Sequence, residues 1–187
     1  MDFMKRFTPT VGTKSVLFGV HAFWIHPVLT AIAWWKLYGF PWDPRLWACF
    51  FLHDIGYWGK PNMNGPEGET HPVLGAKIVG WLFGPDWEEF CVTHSRHYAK
   101  KMGKRISPLA IADKYVQVIE PSWLYIPRAV LSGEMDEYLT AAANQDTSPN
   151  IILRNMRWAG RMRSAKLWHQ CLRAYMTEWV AQHKDGV

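Results

Sequence analysis

Apolar residues recur at helical spacing along almost the whole chain, and strand-like alternation is scarce. Proline repeatedly stands where a first helical turn would begin. The pattern predicts a helix from Pro27 to about Tyr38, stopped by Gly39. A second follows Asp43-Pro44, with Asp43 as N-cap, and carries RLWACFFLHDIGYW. The Gly/Pro/Asn-rich segment over 59–70, GKPNMNGPEGET, suits the rim of a site better than a simple connector. Further helices are expected from Pro72 to near Gly84 and from Pro85 through FCVTHSRHYAKK, the latter with Asp86, Glu88 and Glu89 at its dipole-favoured start. Others should run from Ser107-Pro108 through LAIADKYVQVIE and around EMDEYLTAAA. One long helix is predicted from Ser148-Pro149 toward residue 183.

That last segment has an apolar stripe at Ile152, Met156, Ala159, Met162, Ala165, Trp168, Leu172, Tyr175 and Trp179. Its other faces carry Arg154, Arg157, Arg161, Arg163, Lys166 and Arg173. A core-packing helix with a solvated basic face is the plain reading. An oligomer or polyanion contact, nucleic acid included, is the sharper one. The stretch over 16–35, VLFGVHAFWIHPVLTAIAWW, has transmembrane length, but Pro27 and two histidines inside it argue for a buried core helix. With no repeat or low-complexity tract, the expectation is one all-α domain over residues 1–187.

Composition narrows the partners. The 187 residues include twelve Trp, 21 Lys or Arg and 16 Asp or Glu, for a net charge of +5. The excess favours anionic partners. Cys49, Cys91 and Cys171 are widely spaced and form no CxxC, so neither a disulfide framework nor a thiolate zinc site is indicated, and a reducing cytoplasm fits. No signal-peptide cleavage pattern is expected at the N-terminal end.

The chemistry-bearing feature is a series of His and Asp residues: His26, His53-Asp54, His71, His94 and Asp113. Several fall in strongly apolar helical segments, where an unpaired polar group costs about 1–3 kcal/mol. Metal coordination would satisfy imidazole and carboxylate together. Their spacings are too wide for one helix face and place one or two ligands on each of several helices. Two of the histidines share the tetrapeptide HPVL, at 26–29 and 71–74, which sets His at a helix threshold and Pro in the first turn.

These residues resemble the HD-domain superfamily of metal-dependent phosphohydrolases. FFLHDIGYWGK is similar to the family's apolar helix ending in HDIG and a lysine-bearing loop. HPVLGAKIVGWL resembles the HP-x-x-G segment of its two-metal branch, CVTHSRHY occupies the next His position, and LAIADKYV is similar to its closing A-D helix. The resemblance spans about residues 20–120, leaving 121–187 as a helical extension. His26, 27 residues before His53, is chosen over His21 as the first ligand, with His21 as a core or supporting residue.

The resemblance implies a helical bundle around a buried dinuclear site. One divalent ion would be held by His26, His53, Asp54 and Asp113, and a second by His71 and His94 with Asp54 bridging. It implies hydrolysis of a nucleotide or other small phosphate ester by a metal-bridged hydroxide. His97 would act as acid or substrate contact, Lys60 as a phosphate contact, and Arg96, Lys114 and Tyr98 as substrate-binding residues. Trp24, Tyr57 and Trp58 are candidate stacking surfaces for a base. HSRHYAKKMG lacks the G-Y-P motif and second adjacent His of the branch that cleaves cyclic di-GMP. The same ligand order also serves mixed-valence diiron oxygenases that cleave organophosphonates or inositol, so iron, manganese, magnesium, cobalt and zinc all stay open.

Overall fold

Eleven α-helices and two short 3-10 turns, with no strand, make up residues 9–185, which are the residues described by this computed structural model. In order they are α1 Val11–Phe18, α2 His26–Tyr38, α3 Pro44–Leu52, α4 Pro72–Phe83, α5 Pro85–Val92 and α6 Arg96–Lys101. Then come α7 Pro108–Ile119, α8 Ser122–Ser132, α9 Glu134–Ala143, α10 Ile151–Arg161 and α11 Ala165–His183. The fold is all-α, as the apolar periodicity predicts.

Several helix starts coincide with prolines. Pro44, Pro72, Pro85 and Pro108 each occupy a first helical turn, where the missing N–H removes no intrahelical bond. Asp43 caps α3 by accepting from the Arg45 backbone N–H. Gly39 ends α2 at positive φ.

Several stretches expected to be continuous are broken, and the helix expected to carry RLWACFFLHDIGYW ends at Leu52. The chain leaves its helical path at Thr93–Ser95, between α5 and α6, and the Ser95 hydroxyl restarts it by accepting from the Tyr98 backbone N–H. The C-terminal segment likewise divides at Met162–Ser164, where Arg163 adopts φ 52° and Ser164 caps α11. The long basic helix is therefore two helices packed on one another. The 16–35 stretch is also no single helix: α1 stops at Phe18, a run of turns follows, and α2 begins at His26. Among the described residues no helix is long and apolar enough to cross a membrane.

The packing places α7 at the centre. Its Leu109 enters a cluster formed by Ala31 of α2, Phe50 of α3, Val79 of α4 and Cys91 of α5. Its Ala112 and Val116 meet Ala33 of α2. Ile111 meets Trp179 and Val180 of α11. A separate apolar cluster joins α8 to α11 through Tyr125, Leu139, Met156, Trp168 and Leu172. The polar cluster described next lies around α7, α2 and the end of α3.

Candidate metal centre

Each candidate ligand sits where a helix starts, stops or breaks, except Asp113. His26 opens α2, His53 caps the C-terminus of α3, and Asp54 follows in the turn before the 3-10 segment Ile55–Tyr57. His71 stands immediately before α4, and His94 lies in the break between α5 and α6. Asp113 projects from the middle of α7. All six are buried.

Two glycines permit this convergence. A Cβ on Gly75 of α4 would come within 1.9 Å of the Leu52 carbonyl oxygen and 3.3 Å of His53 Cα. A Cβ on Gly56 would meet the His71 carbonyl oxygen at 1.9 Å. Only a residue without a side chain lets the His53-Asp54 turn lie this close to His71 and α4.

The donor atoms form two groups that share Asp54. Its Oδ2 is 3.3 Å from His26 Nε2 and 3.1 Å from His53 Nε2. Asp113 Oδ1 completes this group, 3.1 Å from His26 Nε2 and 3.9 Å from His53 Nε2. The other oxygen, Asp54 Oδ1, lies 3.5 Å from both His71 Nε2 and His94 Nε2, which are 3.2 Å from each other. Within each group the donor atoms are all within 4.8 Å of one another. Donors held about 2.1 Å from a common ion stand roughly 3–4 Å apart, which is the spacing seen here.

The tautomers follow from the outer ring atoms. His53 Nδ1–H donates to the Phe50 carbonyl at 3.0 Å, His71 Nδ1–H to that of Gly68 at 2.8 Å, and His94 Nδ1–H to that of Cys91 at 2.6 Å. A carbonyl only accepts, so each of these imidazoles turns its Nε2 into the cluster, where it can take a proton or a metal ion. Asp54 Oδ2 is buried with no hydrogen-bond partner, as is His26 Nδ1. Acceptor atoms facing one another in a buried space repel unless a proton or a metal ion lies between them. A donor set of imidazole and carboxylate suits metal ions, so these residues could hold them.

The electrostatics agree. Burial disfavours charge on His26 and His53, yet the carboxylates of Asp113 and Asp54 outweigh it, raising both pKa values, that of His53 to about 10. Burial also opposes ionisation of Asp54 and Asp113, but His53 and His21 hold Asp54, and Lys114 and His26 hold Asp113, well below the usual carboxylate range. His71 behaves oppositely: burial, with His94 and His21 adding to it, pulls it down to about 3 despite Asp54. The first group thus attracts cations strongly, protons or metal, and a metal binding there would displace protons.

A cavity of about 450 Å³ opens onto the cluster, lined by Asp54, His71, His94 and Asp113 together with Arg96, His97, Lys100 and Lys114. Lys114 Nζ lies 2.8 Å from Asp113 Oδ2, and the Arg96 guanidinium stands over the Trp179 ring. Two other sequence candidates lie elsewhere. Lys60 is not on this wall; its ammonium donates to the Thr70 hydroxyl at 2.6 Å. Tyr98 packs into the cluster of α2 to α5 and borders a different cavity with Val73 and Lys101. Trp24 and Trp58 are exposed away from the cavity, whereas Tyr57 lines it.

Two contributors are not apparent from the sequence. Glu134, at the start of α9, is fully buried and accepts from the Val20 N–H and the Ser132 and Tyr138 hydroxyls. It also lies 3.2 Å from His21 Nδ1, while His21 Nε2 is 4.0 Å from Asp54 Oδ2. Glu69, in the 59–70 loop, lines the cavity. No short motif surrounds Glu134, and only the fold brings it next to His21. No protein-family model, curated protein or solved structure matches the chain.

Proposed function

We propose that this chain is a dinuclear, metal-dependent phosphohydrolase of the HD type, acting on a nucleotide or another small phosphate ester. The observation that carries this reading is the division of Asp54, one carboxylate oxygen toward His26 and His53 and the other toward His71 and His94. A carboxylate presented in that way matches the bridging ligand of a two-ion site. Two ions held there would supply Lewis-acid stabilisation of a phosphoryl group and a water of lowered pKa.

The remaining work falls to the chain's own residues. Arg96, Lys100 and Lys114 on the cavity wall would bind and orient an anionic group. His97 would hold the proton passed to the leaving oxygen. Tyr57, stacked on His71, and the backbone carbonyls behind His53, His71 and His94 would keep the imidazoles aimed. Lys60 is a weaker candidate than the sequence resemblance implies, because its ammonium is engaged by Thr70.

A role as nucleic-acid module has less support. Arg163 pairs with Asp136 on the surface, and Arg173 donates to the Val118 carbonyl, so part of the basic C-terminal face is already engaged by the chain itself. The test is anaerobic turnover of a panel of nucleotides and phosphate esters by manganese- or magnesium-loaded protein. Released phosphate supports hydrolysis. Turnover that requires iron and consumes oxygen would instead assign the diiron oxygenase chemistry.

A further inference from the structure

Beside the metal cavity lies a second space of about 500 Å³ with a different character. Its walls include Tyr125, Met156, Trp168, Leu172, Tyr175 and Met176, contributed by α8, α10 and α11. Five of these are buried members of the apolar cluster that joins α8 to α11. The space is a cleft open to solvent, not a closed void, so a ligand can enter it without any opening of the fold. Cavities of roughly 300–1,000 Å³ with apolar walls and a few placed polar groups are characteristic of small-molecule sites.

The two spaces meet. Tyr57, Arg96 and Lys114 line both of them, so the cationic groups stand at the junction between the His/Asp cluster and the apolar chamber. Gln117, on α7, lines this space, and its Oε1 is buried without a hydrogen bond. A buried acceptor of that kind is costly until it meets a donor.

We propose that the chamber is the specificity lobe for the non-reacting part of the substrate. The ligand it takes is an organic anion whose body is apolar and about the size of a fused ring system, with one N–H or O–H donor. The anionic head lies at Arg96 and Lys114 beside the cluster, the body passes Tyr57 to lie among Tyr125, Trp168 and Tyr175, and its donor meets Gln117 Oε1. The identity of the head as a phosphoryl group rests on the phosphohydrolase reading; the nature of the body does not. A bare phosphate or a sugar phosphate would leave the chamber unfilled.

The test compares 1-naphthylmethylphosphonate with methylphosphonate, which share a head that resists hydrolysis, by calorimetry on the protein as purified under anaerobic conditions. The naphthyl compound should bind about 30-fold more tightly or better, from burial of its ring system against the ordering cost. Ala141→Trp and Leu153→Trp, which fill the chamber from α9 and α10, should each bring the two affinities within about threefold of one another. Gln117→Leu should cost about tenfold on an indolylmethylphosphonate, which carries an N–H, and little on the naphthyl compound. Equal affinities in the wild-type protein, or a preference that survives both tryptophan substitutions, would overturn the proposal. A protein that retains metal and binds methylphosphonate without ring preference would sink the chamber and leave the metal reading intact. A protein without metal that still binds 1-naphthalenemethanol, and loses it in Ala141→Trp, would support the chamber while the phosphohydrolase reading fell.

Discussion

Tyr57 lies flat against His71, with ring centroids 4.0 Å apart and planes 8° from parallel. The tyrosine is buried in the turn that follows Asp54, so the segment that supplies the shared carboxylate also clamps an imidazole of the second group. With Nδ1 of His71 fixed by the Gly68 carbonyl, the stack leaves the imidazole little freedom. Tyr57→Leu should lower affinity for the second ion by about 10–100-fold, the usual cost of removing support behind a ligand, while the first is retained. Metal titration followed by native mass spectrometry would read this as a shift from two ions per chain to one. Unchanged retention of both would show that the stack is incidental.

Gly75 and Gly56 set how closely the ligand-bearing segments approach. Gly75→Ala forces its methyl against the Leu52 carbonyl, a backbone atom that cannot turn aside. The expected cost is about 1–3 kcal/mol of stability, from overpacking. The displaced His53 turn should also weaken metal retention. Urea denaturation compared with metal content would check both effects. A stable variant with unaltered metal affinity would mean that the helices separate without disturbing the cluster.

His169 offers a pH dependence remote from the His/Asp cluster. It is fully buried in α11, stacked on Tyr125, with Nδ1 2.9 Å from the Ser122 hydroxyl and Nε2 unpartnered. Burial, with the positive charge of Arg173 adding to it, lowers its pKa to about 4. The unfolded chain protonates near pH 6.5, so below that pH the unfolded state takes up a proton that the folded state refuses. The stabilising contribution is therefore complete above about pH 6.5 and lost as pH falls toward 4. Between pH 6.5 and 5, wild type should lose about 1 kcal/mol more stability than His169→Gln, allowing for water penetration and local relaxation. Parallel slopes for the two proteins would contradict the assignment.

The helical class and the His/Asp set that clusters are legible in the sequence, because both are marked by local patterns. HDIG and ADK place their polar residues next to apolar helical runs, and proline marks the helix starts around His71 and Asp113. The break at Thr93–Ser95 was less visible because no Gly or Pro marks it. Its signal was Ser95, a good N-cap inside an apparently continuous helix. Ser164 carries the same signal between α10 and α11. The first break matters for the site, since a helix continuing through His94 would aim that imidazole differently. Glu134 beside His21, and the separation of Lys60 and Tyr98 from the cavity, depend on long-range packing that periodicity does not encode.

The central claim is that Asp54 joins two ion sites in one chain, and metal stoichiometry tests it most directly. Protein purified without oxygen or chelator should carry two divalent ions per chain by elemental analysis and native mass spectrometry. Asp54→Ala, which removes an oxygen from each group, should carry none while remaining helical by circular dichroism. Wild-type protein with no tightly held ion, or an Asp54→Ala variant that keeps both, would contradict the account.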